Sequence, residues 1–463
     1  LVVQASVGGE RSGSAPRNDW WLLGPGGEPR NLTAALAEPP AAVTRGPDGD
    51  LLAVAGGDLW RIDPGAEPAN LTASFAPTVR SIARREGPPW KRDLPELVID
   101  AGEEGATSPY RVSLAEGPIR IDAVSSPSPH ATIDAHWPSQ RAVLFRAVEE
   151  EGVFAWATDL SSGRTTRLVA INEHLADVAP ARQRLVEYRG ADGDPLNALV
   201  LLPHDYQEGK RYPVLTWVYA GDVFRKIRNR PSFADKFSES SLNLLPLLAR
   251  GTVVLLPSIP LPPEGKSADP MIELPKGVIP AVDRLIELGI ADPDRLAVGG
   301  HSYGGYSAYV MIATTNRFKA AIVSAGTSDL VSQYGTLDAR FRYGETATEG
   351  DSERRWSEGG QGRMGVPPYE NLWRYLRNSP IHFVDRVQTP VLIIQGDMDF
   401  VPLAQGEEFF LGLHRQGKSA RFLRYFGEGH TVESPANVRH MWGEIFAWLD
   451  THLGPPDRPA LPK

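Results

Sequence analysis

The feature that most constrains this chain is Gly299-Gly300-His301-Ser302-Tyr303-Gly304-Gly305, together with what flanks it. Arg295-Leu296-Ala297-Val298 before it reads as a strand, and the apolar stretch "GGYSAYVMIATT" after it reads as a helix. Gly-x-Ser-x-Gly alone is a weak signal in a chain with 45 glycines. On a sharp strand-to-helix turn it carries more. Small neighbours allow a strained backbone that exposes the serine Oγ, and helix N-terminal N–H groups favour developing negative charge. The bland alternative is a glycine-lined turn whose serine caps the helix.

The surrounding half of the chain has the grammar such a turn requires. From about Gln183, "LVEYRGADGDPLNALVLLP" gives two strands joined at Asp192-Gly193, a hairpin signal. Buried strands follow in "PVLTWVYAG" and "GTVVLLP", then an amphipathic helix in "PKGVIPAVDRLIELG" from Pro275 to Gly289. After Ser302 come the strands "KAAIVSAG", "PVLIIQG" and "ARFLRYFG", and a closing helix from Pro435 to Leu453. This alternation predicts a mostly parallel sheet covered on both faces.

A serine nucleophile needs a base, and the base needs an orienting carboxylate. On a sheet of this kind they follow on later loops, in the order serine, acid, histidine. Asp397 and Asp399 follow "VLIIQG", and His430 follows "ARFLRYFGEG". The spacings are 97 residues from Ser302 to Asp399 and 31 from Asp399 to His430. Asp399 is preferred because it lies deeper in its loop, with Asp397 read as a cap. His414 sits in a basic stretch, His440 and His452 lie on the last helix, and His301 is read as supporting the elbow. An oxyanion needs two donors. They are expected from the backbone N–H of Tyr303 and from the phenol of Tyr219, on the loop after "TWVY".

The first half reads differently. "DWWLLGPGGEPRNLTA" from Asp19 recurs as "DLWRIDPGAEPANLTA" from Asp58, an offset of 39 residues. Weaker echoes begin at Pro109 and Val153. A period near 40 with a hairpin in each repeat is the mark of propeller blades. About four blade-like units fit before residue 182, and the start at Leu1 reads as an incomplete propeller. The predicted organisation is therefore β-propeller blades over 1–182 and an α/β domain over 183–463.

Composition removes some alternatives. A net charge of −9, without long blocks of one sign, argues against nucleic acid or an anionic membrane surface as partner. No apolar run approaches the roughly 18 residues of a spanning helix. With no cysteine, disulfides and thiolate chemistry are excluded. No metal cluster or cofactor motif is expected. Cytoplasm and periplasm, and the option of a homo-oligomer, stay open.

Taken together, "EYRGADGDPLNALVLLP", "VYAG", "GGHSYGGYSA", "QGDMDFVP" and "GEGH" resemble the prolyl oligopeptidase family of serine peptidases. The resemblance covers 183 to about 454. It implies an α/β-hydrolase fold behind an N-terminal propeller, with Ser302 as nucleophile, Asp399 as acid, His430 as base and Tyr219 as oxyanion donor. It also implies short peptides as substrates. Two residues after the acid, prolyl-specific members commonly carry Arg or Asn; this chain has Val401, so the resemblance carries no preference for proline. The long stretch between Gly326 and Pro380 follows the strand after the nucleophile. Tyr334, Arg342, Arg363 and Trp373 are its candidates for substrate contact, and Val401, beside the acid, is a further one. The leading expectation is a serine peptidase, against a carboxylesterase with the same triad and a non-catalytic propeller-based binding protein.

Overall fold

The computed structural model describes residues 2–7, 17–24, 27–46, 50–84, 96–103, 106–115, 117–149, 151–178, 181–227, 241–336 and 352–455. The chain divides into two compact units, Leu1–Val178 and Ala179–Lys463.

In the first unit the described strands form four antiparallel sheets, each built from strands consecutive in sequence. The first holds Val2–Val7, Arg17–Leu22 and Arg30–Asn31. The second holds Val43–Arg45, Leu51–Ala55, Asp58–Ile62 and Ala69–Asn70. The third spans Val79–Ile82 to Arg120–Ala123, and the fourth Thr132–Trp137 to Thr165–Ile171. Side chains alternate across a strand, so a sheet between two others needs apolar residues on both faces. Leu51, Ala53 and Ala55 pack with Leu32 and Leu36, just after the last strand of the first sheet, whereas Leu52 and Leu59 face Leu97 and Ile99 of the third. Val98 of the third turns the other way, onto Val143 and Phe145 of the fourth. Successive sheets stacked face to face in this way are propeller blades.

The repeated Asp…Asn-Leu-Thr pattern is a hydrogen-bonded staple made twice. Thr33 Oγ1 donates to Asp19 Oδ1 at 2.7 Å and accepts the Trp20 N–H at 3.0 Å. Thr72 Oγ1 donates to Asp58 Oδ1 at 2.9 Å and accepts the Leu59 N–H at 2.9 Å. In both copies the asparagine Oδ1 accepts the threonine N–H, turning the chain so that the hydroxyl reaches back across the hairpin. Thr72 is 1% exposed, so removing its hydroxyl strips a buried N–H of its partner. Thr72→Val is expected to destabilise the protein by about 1–3 kcal/mol, with most of the loss recovered in Thr72→Ser. Thermal unfolding of both variants checks this.

The second unit is an eight-stranded sheet. Its strands are β1 (Arg182–Arg189), β2 (Pro195–Leu202), β3 (Tyr212–Trp217), β4 (Val253–Leu256), β5 (Ala291–His301), β6 (Ala320–Ser324), β7 (Val391–Gly396) and β8 (Ala420–Tyr425). The spatial order is β1-β2-β4-β3-β5-β6-β7-β8. Pairing is antiparallel from β1 to β4 and parallel from β4 through β8. This is the α/β-hydrolase topology. Along β7, Val391 and Ile393 enter the core of one face while Leu392 and Ile394 enter that of the other. Helices α2 (Pro270–Glu287), α3 (Tyr303–Thr314) and α7 (Leu403–Arg415) cover the first face. Helices α1 (Leu245–Ala249) and α8 (Pro435–Leu453) cover the second.

Helix α2 departs from expectation. The sequence places its start at Pro275, but the helix begins at Pro270 and runs through Pro275 and Pro280. Met271, Leu274, Val278, Ala281, Val282 and Leu285 form one buried face along it. That packing outweighs the backbone bonds lost at the two prolines. Among the described residues no helix is long and apolar enough to cross a membrane, and no group of three or more His, Cys, Asp or Glu is placed to hold a metal ion.

Candidate active site

Strand β5 ends at His301 and α3 starts at Tyr303, so Ser302 alone makes the turn. Its backbone is held at φ 60°, ψ −124°, a sparsely populated conformation costing about 1–3 kcal/mol. Its N–H donates to the Ser324 carbonyl at the end of β6, and its carbonyl accepts the Tyr306 N–H of α3. Two glycines make the turn sterically possible. A Cβ at Gly300 would lie 2.1 Å from the Gly304 carbonyl oxygen, and one at Gly304 would lie 2.4 Å from that of Val218.

The parallel register brings the later loops to the same edge. His301 pairs with Ser324, Ser324 with Ile394, and Gly396 with Tyr425. His430 Nδ1 lies 2.8 Å from Asp399 Oδ1. The Asp399 side chain is fully buried and that of His430 is 22% exposed. A carboxylate only accepts, so the hydrogen bond is donated by Nδ1, which turns Nε2 away from the acid. The same Asp399 oxygen accepts the Val401 N–H at 2.9 Å.

The His430 ring lies between two others. His301 is 4.6 Å away and Phe400 4.1 Å, centroid to centroid. His301 Nδ1 lies 3.1 Å from the Ser324 hydroxyl. Burial, then the proximity of His430, pushes the His301 pKa down to about 3, so this ring is neutral near neutral pH. Asp397, the rival carboxylate, instead accepts the Gly427 N–H and ties the two loops together. His440, on α8, bonds the hydroxyl of Tyr425 at the end of β8, and His414 stacks on Phe410.

Tyr219 follows β3, and its ring packs edge-on to Tyr303 at 6.0 Å, beside the elbow. Its hydroxyl lies 3.0 Å from Gln361 Nε2. The other candidates divide. Arg363 is 7% exposed and faces inward, donating from Nε to the Pro262 carbonyl and from Nη1 to that of Gln361. It braces the loop. Tyr334, at the end of α4 (Leu330–Tyr334), donates to Glu358 Oε1 at 2.8 Å. Trp373, on α6 (Leu372–Arg377), is 67% exposed, and the Val401 side chain is buried. Arg342 lies outside the described residues.

Sequence reasoning passed over Gln361, Trp356, Phe400 and Glu428. The glycine-flanked "EGGQG" was the available signal for Gln361. Glu428 shapes the His430 loop. Its carbonyl accepts the Met398 N–H, and its carboxylate accepts the N–H groups of Glu433 and Ser434 and the Asn437 amide. Desolvation opposes the charge, but these hydrogen bonds outweigh it and hold the pKa down at about 2, against an ordinary 4.5. A lowered carboxyl pKa stabilises the fold fully above the ordinary value, and the gain fades as pH falls towards the folded value. Glu428→Gln should therefore lower the melting temperature at pH 7 and flatten its fall between pH 4.5 and about 2. An unchanged acid limb would contradict this role.

Comparison with known proteins finds likenesses over this region. Residues 275–456 match the prolyl oligopeptidase family. An uncharacterized peptidase of Bacillus subtilis, YuxL, is 24% identical over 394 residues, covering 79% of this chain and 53% of its own length. Dipeptidyl-peptidase 5 of Porphyromonas endodontalis is 28% identical over 309 residues, covering 64% and 41%. The chain thus spans about half the length of the curated relatives it matches. Among solved structures, the acylaminoacyl peptidase of Pyrococcus horikoshii superposes with a TM-score of 0.58 at 16% identity, covering 100% of this chain and 70% of that one. A puromycin-hydrolyzing peptidase of Mycobacterium tuberculosis gives 0.57 at 22% identity, covering 95% and 67%. Both share the fold described above. The elbow at Ser302 and the loops bearing Asp399 and His430 thus lie within the stretch, residues 275–456, that matches the prolyl oligopeptidase family.

Proposed function

We propose that the chain is a serine peptidase acting on amide bonds of short peptides through Ser302, His430 and Asp399. The observation that carries this reading is the 2.8 Å contact of His430 Nδ1 with the buried Asp399, made by a ring packed against the residue before Ser302. His430 Nε2 takes the Ser302 proton as Oγ attacks the scissile carbonyl. The resulting oxyanion is held by the Tyr303 N–H and the Tyr219 phenol. Collapse expels the amine, which leaves with the proton from Nε2. Water then attacks the acyl-enzyme by the same route, freeing the acid and restoring Ser302. Asp399 holds the imidazole in the tautomer with Nδ1 protonated and offsets the charge of the imidazolium.

The names of the relatives support amide chemistry near a peptide end. They include dipeptidyl and acylaminoacyl peptidases and an enzyme that hydrolyses puromycin. For this chain the proposed substrates are therefore short peptides and aminoacyl amides.

Two experiments test the proposal. Ser302→Ala is expected to lower kcat by about a millionfold. Asp399→Asn should cost about 10^4-fold through the wrong imidazole tautomer. Activity that survives Ser302→Ala would refute the nucleophile. The second experiment assays free and N-blocked aminoacyl p-nitroanilides beside simple esters. Amide turnover that depends on Ser302 is expected, and turnover of esters alone would replace the peptidase reading by a carboxylesterase.

A further inference from the structure

Gln361 stands 142 residues from Tyr219 in sequence and in hydrogen-bond contact with it in space. It sits in a turn at the end of α5 (Ser352–Glu358), where Gly360 and Gly362 donate to the Arg355 and Trp356 carbonyls. Arg363 Nη1 closes on the Gln361 carbonyl at 2.9 Å. The side-chain amide therefore projects from a braced backbone. It meets two groups, the Trp356 indole and the Tyr219 phenol.

Which way the amide faces follows from the chemistry of those groups. An indole N–H only donates. Trp356 Nε1 lies 3.3 Å from Gln361 Oε1, so the amide oxygen must face it. The amide NH2 then faces Tyr219, 3.0 Å from its hydroxyl, and donates to it. Oε1 is the more distant acceptor for that hydroxyl, at 3.4 Å, and is already engaged by the indole. The phenol accepts from the amide at 3.0 Å, and its own O–H has only the longer 3.4 Å contact with Oε1 to give up in order to donate elsewhere. Burial pushes the Tyr219 pKa up, so the proton stays on the oxygen at neutral pH. The Trp356 ring is itself fixed edge-on against Tyr303, 5.7 Å away, whose backbone N–H is the other proposed oxyanion donor.

We propose that Trp356 and Gln361 are positioning residues that orient the Tyr219 hydroxyl so that its proton is offered to the oxyanion. This rests on the reading of Tyr219 as an oxyanion donor. It adds two residues of the stretch after β6, Trp356 and Gln361, and accounts for a glutamine between two glycines. The amide acts on the transition state only through Tyr219, so its removal reduces kcat and leaves KM nearly unchanged.

The test is a double-mutant cycle on the full chain with the best p-nitroanilide of the panel above, with melting temperatures measured for every variant. Tyr219→Phe is expected to lower kcat by about 100-fold. Gln361→Ala should lower it by about fivefold to tenfold. Gln361→Glu, nearly the same shape, should fall further, because a carboxylate accepts the phenol proton and turns it away. Trp356→Phe, which frees the amide to rotate, should show a smaller loss. In the Tyr219→Phe background, Gln361→Ala should have no further effect. Equal losses in both backgrounds, an effect on KM alone, or an unchanged kcat in Gln361→Ala would overturn the inference while leaving the oxyanion reading intact. An unchanged kcat in Tyr219→Phe would remove the oxyanion reading, and this inference with it.

Discussion

The second unit depends on one close approach, that of the Gly304 backbone to the carbonyl of Val218. No side chain fits between them, since a Cβ there would stand 2.4 Å from the oxygen. The contact has two consequences. It lets α3 start directly beside the end of β3, so the turn between strand and helix shrinks to Ser302 alone. It also delivers the residue after Val218, Tyr219, to the side of that turn. The strained turn at Ser302 and the phenol beside it thus share this close approach, which the tight packing at Gly300 against the Gly304 carbonyl completes.

The remaining groups are braced from strand to strand. The Ser324 carbonyl takes the Ser302 N–H, the Ile394 carbonyl takes the Ala325 N–H, and the Tyr425 and Glu428 carbonyls take the Asp397 and Met398 N–H groups. Each loop at this edge is thus anchored to the strand or loop that follows it. Gly396 allows the last of these approaches, because a Cβ there would lie 2.2 Å from the Glu428 carbonyl oxygen. A buried acid on one loop therefore meets an imidazole on the next without relying on side-chain contacts alone. Preorganisation of this kind lets dipoles act on a reacting centre without rearranging.

How much of this was legible in the sequence depends on the range of the interaction. The strand, glycine turn and helix around Ser302 are local, and so are the loops holding Asp399 and His430; each is punctuated by glycine and could be read directly. The paired Asp19 and Asp58 staples were visible as a repeat, although the bonds behind it were not. Gln361 was not legible, because its partner lies in another element and its role depends on which way an amide faces. Arg363 carried the right chemistry for an anion, yet it faces the carbonyls of Pro262 and Gln361. A sequence records that a guanidinium is present, not that two of its nitrogens already donate to backbone oxygens. The early start of α2 was hidden by two prolines whose cost is outweighed by a buried face.

The central claim is that Ser302 is a nucleophile activated by His430. Labelling with a fluorophosphonate, followed by peptide mass spectrometry, tests it most directly. One adduct per chain is expected on Ser302, with a labelling rate that falls steeply in a His430→Ala variant. An adduct on another residue, or labelling of Ser302 at the same rate without His430, would contradict the account.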